Sequence, residues 1–339
     1  MVDIKKLKEL LKDEPSYRLR QAEKAIYKDF VSDWSIVTTL PLRLRDKLQD
    51  ELTLGIPGKF FPSGKEDAVK ALITLDDGFS VETVLMRYKD NRNTVCVSSQ
   101  IGCQLNCLFC RTGKLGFKRN LTSEEIIDQV LFFSRYLKGR DNFITNIVFM
   151  GMGEPFLNYE NVIGAIRILN DKNKFNIGAR RISISTSGIP DKIKMLAKEE
   201  LQINLAVSLN APDDEIRSRL MSVNKIYPIK GVLDSVKFYT EKTRRRVMFE
   251  YLMINNLNDC TSHAKELSKL IKGMLCFVNL IPYNRDPDCK NNDLKPSTKE
   301  RISEFKEILR TSGITVTERF RFGRDVRAAC GQLAYEKKL

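Results

Sequence analysis

The stretch Cys96-Val-Ser-Ser-Gln-Ile-Gly-Cys103-Gln-Leu-Asn-Cys107-Leu-Phe-Cys110 sets three cysteines in Cys-x3-Cys-x2-Cys spacing directly behind an apolar run. That run, Val95–Ser99, reads as the first of a series of strands. Further strands are expected at Ile144–Met150, Arg181–Ser187, Ile203–Leu209, Val247–Met253, Cys276–Ile281 and Thr315–Arg319. Between them lie stretches of helical periodicity at 123–137, 161–170, 190–199, 228–242, 261–272 and 297–311. Start signals such as Thr122-Ser123-Glu124-Glu125 and Ser297-Thr298-Lys299-Glu300 open two of these. Repeated strand–helix units build a parallel sheet whose ligands bind at the strands' C-terminal ends. Six such units predict an α/β fold, an incomplete (βα)6 barrel open on one side.

Upstream of this series, Val69–Leu75 and Val81–Met86 read as a β-hairpin turning at Asp77-Gly78. Before it the chain is polar and mainly helical, with apolar residues at helical spacing in Lys5–Leu11, Tyr17–Asp29 and Pro41–Glu51. Turns at Gly55–Gly58 and Pro62–Gly64 close that region. The expected division is a small helical N-terminal accessory domain (1–66), a hairpin linker (67–88), the barrel (89–325) and a C-terminal segment (326–339) carrying Cys330.

Composition narrows the chemistry. The 339 residues carry a formal charge of +14, which favours a polyanionic partner, most often nucleic acid. Apolar runs such as Ile144–Met150 and Leu275–Ile281 are far shorter than a membrane span. Met1–Glu14 is charged throughout, so no secretory signal and a reducing, cytoplasmic setting are expected. There the eight cysteines read as ligands, catalysts or packed residues rather than a disulfide framework. His263 is the only histidine, which excludes most hydrolase triads and His-based zinc sites.

The three-cysteine loop supplies three thiolates to a cubane whose cysteine ligation is normally fourfold. The iron left open can be chelated by the amino and carboxylate groups of S-adenosylmethionine (SAM). An electron from the cluster then breaks a carbon–sulfur bond and releases a deoxyadenosyl radical. A zinc site would want a fourth Cys or His nearby, and neither Cys96 nor His263 suits one.

This spacing is the hallmark of the radical SAM superfamily. Five further motifs, in order, extend the likeness: Cys96–Cys103 itself, Gly116-Phe-Lys-Arg-Asn-Leu121, Met150-Gly-Met-Gly-Glu-Pro155, Ser183-Ile-Ser-Thr-Ser-Gly188 and Ala328-Ala-Cys-Gly-Gln-Leu333. From about Val81 to Leu333 the sequence resembles the RlmN/Cfr family of ribosomal RNA methyltransferases. The resemblance implies a [4Fe-4S] cluster on Cys103, Cys107 and Cys110, and two SAM molecules per turnover. It implies that Gly153 and Glu154 hold the aminoacyl end of SAM, and that Ser185, Ser208, Leu209, Asn210 and Asn284 complete the site. It assigns Cys330, which alone reads as a packed cysteine, to accept a methyl group. Cys96 becomes the resolving thiol in a transient disulfide with Cys330, and Glu82 the proton acceptor. One departure stands out: the family's Ser-Leu-His is Ser208-Leu209-Asn210 here, so a neutral polar contact replaces an ionisable one.

The implied substrate is the peptidyl-transferase-loop adenosine of 23S rRNA, methylated at C2, with the adenosine 3′ of the tRNA anticodon as a further candidate. C2 lies between two ring nitrogens and is too electron-poor to attack a sulfonium, which is why a carbon radical is needed. A low-potential electron donor, a disulfide reductant and a monomeric state are also expected. A Cfr-like C8 methyltransferase is the nearest alternative, and Glu154-Pro155 favours the C2 enzyme. From a different class, a non-catalytic RNA-binding iron–sulfur redox protein would need neither Cys96 nor Cys330. Lys114, Lys118 and Arg119, with Arg319, Arg321, Arg324 and Arg327, are expected at RNA phosphates, and Phe320 and Phe322 beside a displaced base. Arg244–Arg246 read as a solvated run. Cys260, Cys276 and Cys289 read as structural.

Overall fold

The computed structural model describes residues 2–285, 294–319, 322–323 and 325–334. Cys289, Phe320, Arg321 and Arg324 lie outside the described residues. Three helices come first: α1 (Ile4–Leu10), α2 (Ser16–Tyr27) and α3 (Leu42–Glu51). Strands β1 (Gly58–Pro62), β2 (Ala68–Thr74) and β3 (Ser80–Arg87) form an antiparallel entry to the sheet. The cysteine stretch spans β4 (Asn93–Val97) and β5 (Gln100–Gly102), followed by α4 (Arg111–Lys114) and β6 (Phe117–Asn120). Then come α5 (Ser123–Lys138), β7 (Asn146–Phe149), α6 (Tyr159–Asn170), β8 (Ile182–Thr186), α7 (Pro190–Leu196) and β9 (Asn204–Ser208). The chain continues through α8 (Asp214–Leu220), α9 (Ile229–Thr243), β10 (Val247–Met253), α10 (Thr261–Leu270), β11 (Cys276–Pro282), α11 (Lys299–Thr311) and β12 (Val316–Glu318).

Ten strands make one sheet in the order β1-β2-β3-β4-β7-β8-β9-β10-β11-β12. From β4 to β12 every pairing is parallel, so the expected open α/β barrel is present, with the hairpin as its antiparallel edge. Predicted start signals are real caps. Thr122 and Glu125 form a complete capping box on α5, and Thr298 accepts from the Arg301 amide on α11.

Alternation along the strands sets the two faces. Ile147, Ile182, Ile184, Leu205, Val207, Phe249, Val278 and Leu280 are fully buried and join the apolar core. Their neighbours form the other row. Register runs Val84–Cys96–Val148–Ser183 across four strands, and Ser208–Glu250–Asn279–Thr317 across four more. The interior of the barrel is therefore a polar, thiol-bearing face.

Three strands were not foreseen: β1 and the short pair β5 and β6. β1 falls where turns were expected, between Gly55 and Gly64. It is an exposed edge strand, where Gly and Pro are tolerated. Gly58 is required there: a Cβ would lie 2.8 Å from both the Leu72 carbonyl oxygen and the Phe132 ring.

Candidate active site

The cysteine loop leaves β4 and folds back through the small β5–β6 ribbon. Gly102 makes the reversal at φ +73°, where a Cβ would collide with the Gly116 carbonyl. The Cys103 amide donates to the Gly116 carbonyl at 3.0 Å, and the Cys110 amide to that of Cys107 at 3.0 Å. All three thiols line one cavity of about 180 Å3 near the C-terminal ends of the parallel strands. Burial pushes the Cys103 thiol up to about 12 and that of Cys107 well above its ordinary value. Metal binding is what removes protons from thiols so placed. Among the described residues no three Cys, His, Asp or Glu side chains converge on a single ion. A cubane spreads its thiolates over separate irons, so three thiols along one cavity wall fit it.

Glu154 faces them. Its carboxylate accepts from the Ser187 amide at 2.8 Å and the Phe156 amide at 3.1 Å. Burial raises its pKa while these donors pull it back. The glycines before it serve the protein's own packing. A Cβ on Gly153, at φ +96°, would lie 2.5 Å from Gln100 Cβ, and one on Gly151 would lie 2.6 Å from Ser98 Oγ. They let the β7 loop lie against the cysteine loop, and both also line the cavity.

The third wall carries a residue that sequence reading missed. Glu250 is buried on β10 and accepts from Ser185 Oγ at 2.8 Å and Ser208 Oγ at 3.5 Å. Its other oxygen receives Arg319 Nη1 at 2.8 Å. Burial works against the Arg319 charge, but Cys330, Glu250, Cys96 and Tyr88 outweigh it and raise its pKa. The signal was a lone acid in the otherwise apolar run Val247-Met-Phe-Glu-Tyr-Leu-Met253. Asn210 also lines the cavity. Its Oδ1 accepts from the Leu252 amide at 2.9 Å and its Nδ2 lies 3.3 Å from Met221 Sδ.

Cys330 lines the same cavity as the three-cysteine loop. Cys96 does not reach it and is 8% exposed. Burial first, and the neighbouring Cys330 second, push the Cys96 thiol up to about 12. The chain just after Cys330 is held by α4: the Arg111 amide donates to the Gly331 carbonyl at 2.8 Å and Thr112 Oγ1 to that of Leu333 at 2.6 Å. Glu82 is buried on β3 and bonded rather than open, to Lys70 Nζ at 2.8 Å and the Ala334 amide at 2.7 Å. Asn284 stands beside Cys330 and Arg319 in a small adjoining cavity, and Leu209 is buried in the core. Phe322 packs edge-on to Tyr88 with ring centres 4.6 Å apart.

Two basic residues expected at phosphates are paired with carboxylates of the protein. Arg119 Nε donates to Asp77 at 2.6 Å and its Nη atoms to Glu125 at 2.8 and 2.7 Å, which braces the start of α5. Arg319 is the partner of Glu250. Arg245 and Arg246 engage Asn204 at 3.0 Å and the Phe277 ring at 4.5 Å, away from the cavity lining. Cys260 Sγ meets His263 Nδ1 at 3.0 Å, also apart from that lining.

The parallel barrel and its three-thiol cavity define a radical SAM protein, and the sequence profile of the radical SAM superfamily matches residues 97–267. The chain is 44% identical over 335 residues to the probable dual-specificity RNA methyltransferase RlmN of Dictyoglomus thermophilum, covering 98% of this chain and 94% of that one. It is 41% identical over 339 residues to the corresponding protein of Bacillus pumilus, covering 99% and 93%. Within that class, the chain belongs to the RlmN family of RNA methyltransferases. A crystal structure of a radical SAM methyltransferase from Sphaerobacter thermophilus superposes with a TM-score of 0.92 at 42% identity, covering 98% and 97%.

Proposed function

We propose that this RNA methyltransferase places a methyl group on C2 of an adenosine in 23S rRNA, and of an adenosine in tRNA, through a methyl carried on Cys330. What supports it is one cavity walled by Cys103, Cys107, Cys110 and Cys330, with Cys96 close enough behind to feel the charge of Cys330. A non-catalytic iron–sulfur protein has no use for that second pair of thiols. Bound together, a [4Fe-4S] cluster and SAM supply a methyl group for a thiol and, from a second SAM, a hydrogen-abstracting radical.

The chain's own residues do the rest. Cys103, Cys107 and Cys110 hold the cluster. Gly153, Glu154, Ser185, Ser208, Asn210 and Asn284 hold SAM, with Glu154 on its ammonium group and Leu209 buried between Ser208 and Asn210 to set them. The Cys330 sulfur takes the methyl and, after hydrogen abstraction, presents a carbon radical to C2. The adduct gives its C2 proton to Glu82, and the one electron it must also shed is one that a cluster held by Cys103, Cys107 and Cys110 would accept. Cys96 then loses its proton and attacks the Cys330 sulfur. A sulfur–sulfur bond forms as the sulfur–carbon bond breaks, and the freed methyl carbon takes up a proton. The raised pKa of Cys96 keeps it a thiol until that step. Residues 1–66 help hold the RNA, ahead of the hairpin at 67–88, the radical SAM core at 89–325 and the Cys330 segment at 326–339. The enzyme works as a cytoplasmic monomer served by a low-potential electron donor and a disulfide reductant.

Mass spectrometry of digested rRNA from a deletion strain tests the product. Loss of 2-methyladenosine is expected; loss of 8-methyladenosine instead overturns the C2 assignment. A Cys96→Ala variant should accumulate a covalent protein–RNA adduct, and normal turnover by it removes the resolving role.

A further inference from the structure

We propose that Lys70 is the positioning residue for Glu82, holding its carboxylate aimed for the C2 proton; this rests on the reading of Glu82 as the base. Lys70 Nζ lies 2.8 Å from Glu82 Oε1, and the two side chains are 14% and 6% exposed. Register sets Lys70 opposite Val84 and Glu82 opposite Leu72, a diagonal pair on adjacent strands. Val84 in turn faces Cys96, so Lys70, Glu82 and the resolving thiol share one face of the sheet. The ammonium also lies 5.7 Å from the centre of the Phe61 ring.

Lysine is among the residues least often buried, and solvation does not explain one here. Its ammonium fixes one Glu82 oxygen and so decides where the carboxylate points; without it that end of the side chain has no partner to hold it. The second carboxylate oxygen is held by the Ala334 amide, four residues after Cys330, which ties the base to the segment bearing the methyl. In the step itself the C2–H bond breaks, its electron pair stays with the adduct, and the proton goes to a Glu82 oxygen. Lys70 remains an ammonium, and Glu82 later returns the proton to water.

The test uses the reconstituted holoenzyme and substrate RNA with Lys70→Met, Lys70→Arg, Glu82→Gln and Lys70→Met/Glu82→Gln. S-methylation of Cys330 and 5′-deoxyadenosine report the steps before the base acts. Covalent protein–RNA adduct and released product report those after it. Lys70→Met is expected to keep Cys330 methylation and 5′-deoxyadenosine formation, to accumulate adduct, and to slow product release by roughly 100-fold or more. Lys70→Arg should recover most of that loss, and the double variant should be no worse than Glu82→Gln. The inference is overturned if Lys70→Met releases product at the wild-type rate, if it also loses Cys330 methylation, or if the two losses add. Should Glu82→Gln itself release product normally, the base reading fails, and this inference with it. A blocked Glu82→Gln beside a normal Lys70→Met would sink the Lys70 role alone.

Discussion

Asn210 adopts φ +59°, a left-handed conformation that asparagine tolerates better than most residues. The sequence shows it as the place where the family's histidine is missing. It cannot show that Asn210 Oδ1 holds the amide of Leu252 on the neighbouring strand, because that partner is set by tertiary register. Asn210→Ala would strand that amide in the barrel wall and strain the backbone. Urea unfolding should report a loss of about 2 kcal/mol; a change within about 0.5 kcal/mol would place the amide on some other acceptor. Glu250 teaches the same lesson in reverse. An acid inside an apolar strand was visible in Val247–Met253, yet its meaning came only with Ser185, Ser208 and Arg319 converging on it from β8, β9 and the end of β12.

At the scale of elements, the parallel strands were legible because their two faces differ in kind. Ile182-Ser-Ile-Ser alternates as a strand must, with isoleucine toward the core and serine toward the interior. β1 was not legible, since exposed Phe60 and Phe61 between Gly58 and Pro62 carry no such pattern. That inconspicuous strand matters for the site. The turn after it grips the Cys330 segment: Ser63 Oγ and the Gly64 amide donate to Asp325 at 2.9 and 2.8 Å. Hydrogen bonds from Arg111 and Thr112 fix the far end of the same segment. Asp325→Ala should release the near end only. Hydrogen exchange at the Ala328 amide, now bonded to the Gly323 carbonyl at 2.8 Å, should quicken at least several-fold. Because the grip is partly exposed, global stability should fall by no more than about 1 kcal/mol. Unchanged exchange at Ala328 would show that the far end alone sets the loop.

For the whole molecule, the charge of +14 was the plainest signal in the sequence and the least localised. Counting residues cannot separate cations that face RNA from cations that brace the protein. The structure separates some of them. Arg119 and Arg319 answer carboxylates, and fully buried Arg217 donates to the carbonyl oxygens of Ser187 and Leu209. The excess that remains is expected to act through RNA phosphates, with salt dependence as its signature. Each phosphate neutralised on a flexible strand adds roughly 0.7 to the slope of log affinity against log salt. Three such contacts predict a loss on the order of tenfold between about 50 and 200 mM monovalent salt. Fluorescence anisotropy with a labelled substrate stem-loop measures this, and a slope near zero would mean that recognition does not run through phosphates. Arg119→Gln supplies the internal control. It removes a bidentate bond at the α5 start and should lower thermal stability while leaving the salt slope unchanged. A slope shallower by about 0.7 in that variant would return Arg119 to the RNA surface, as the sequence reading first had it.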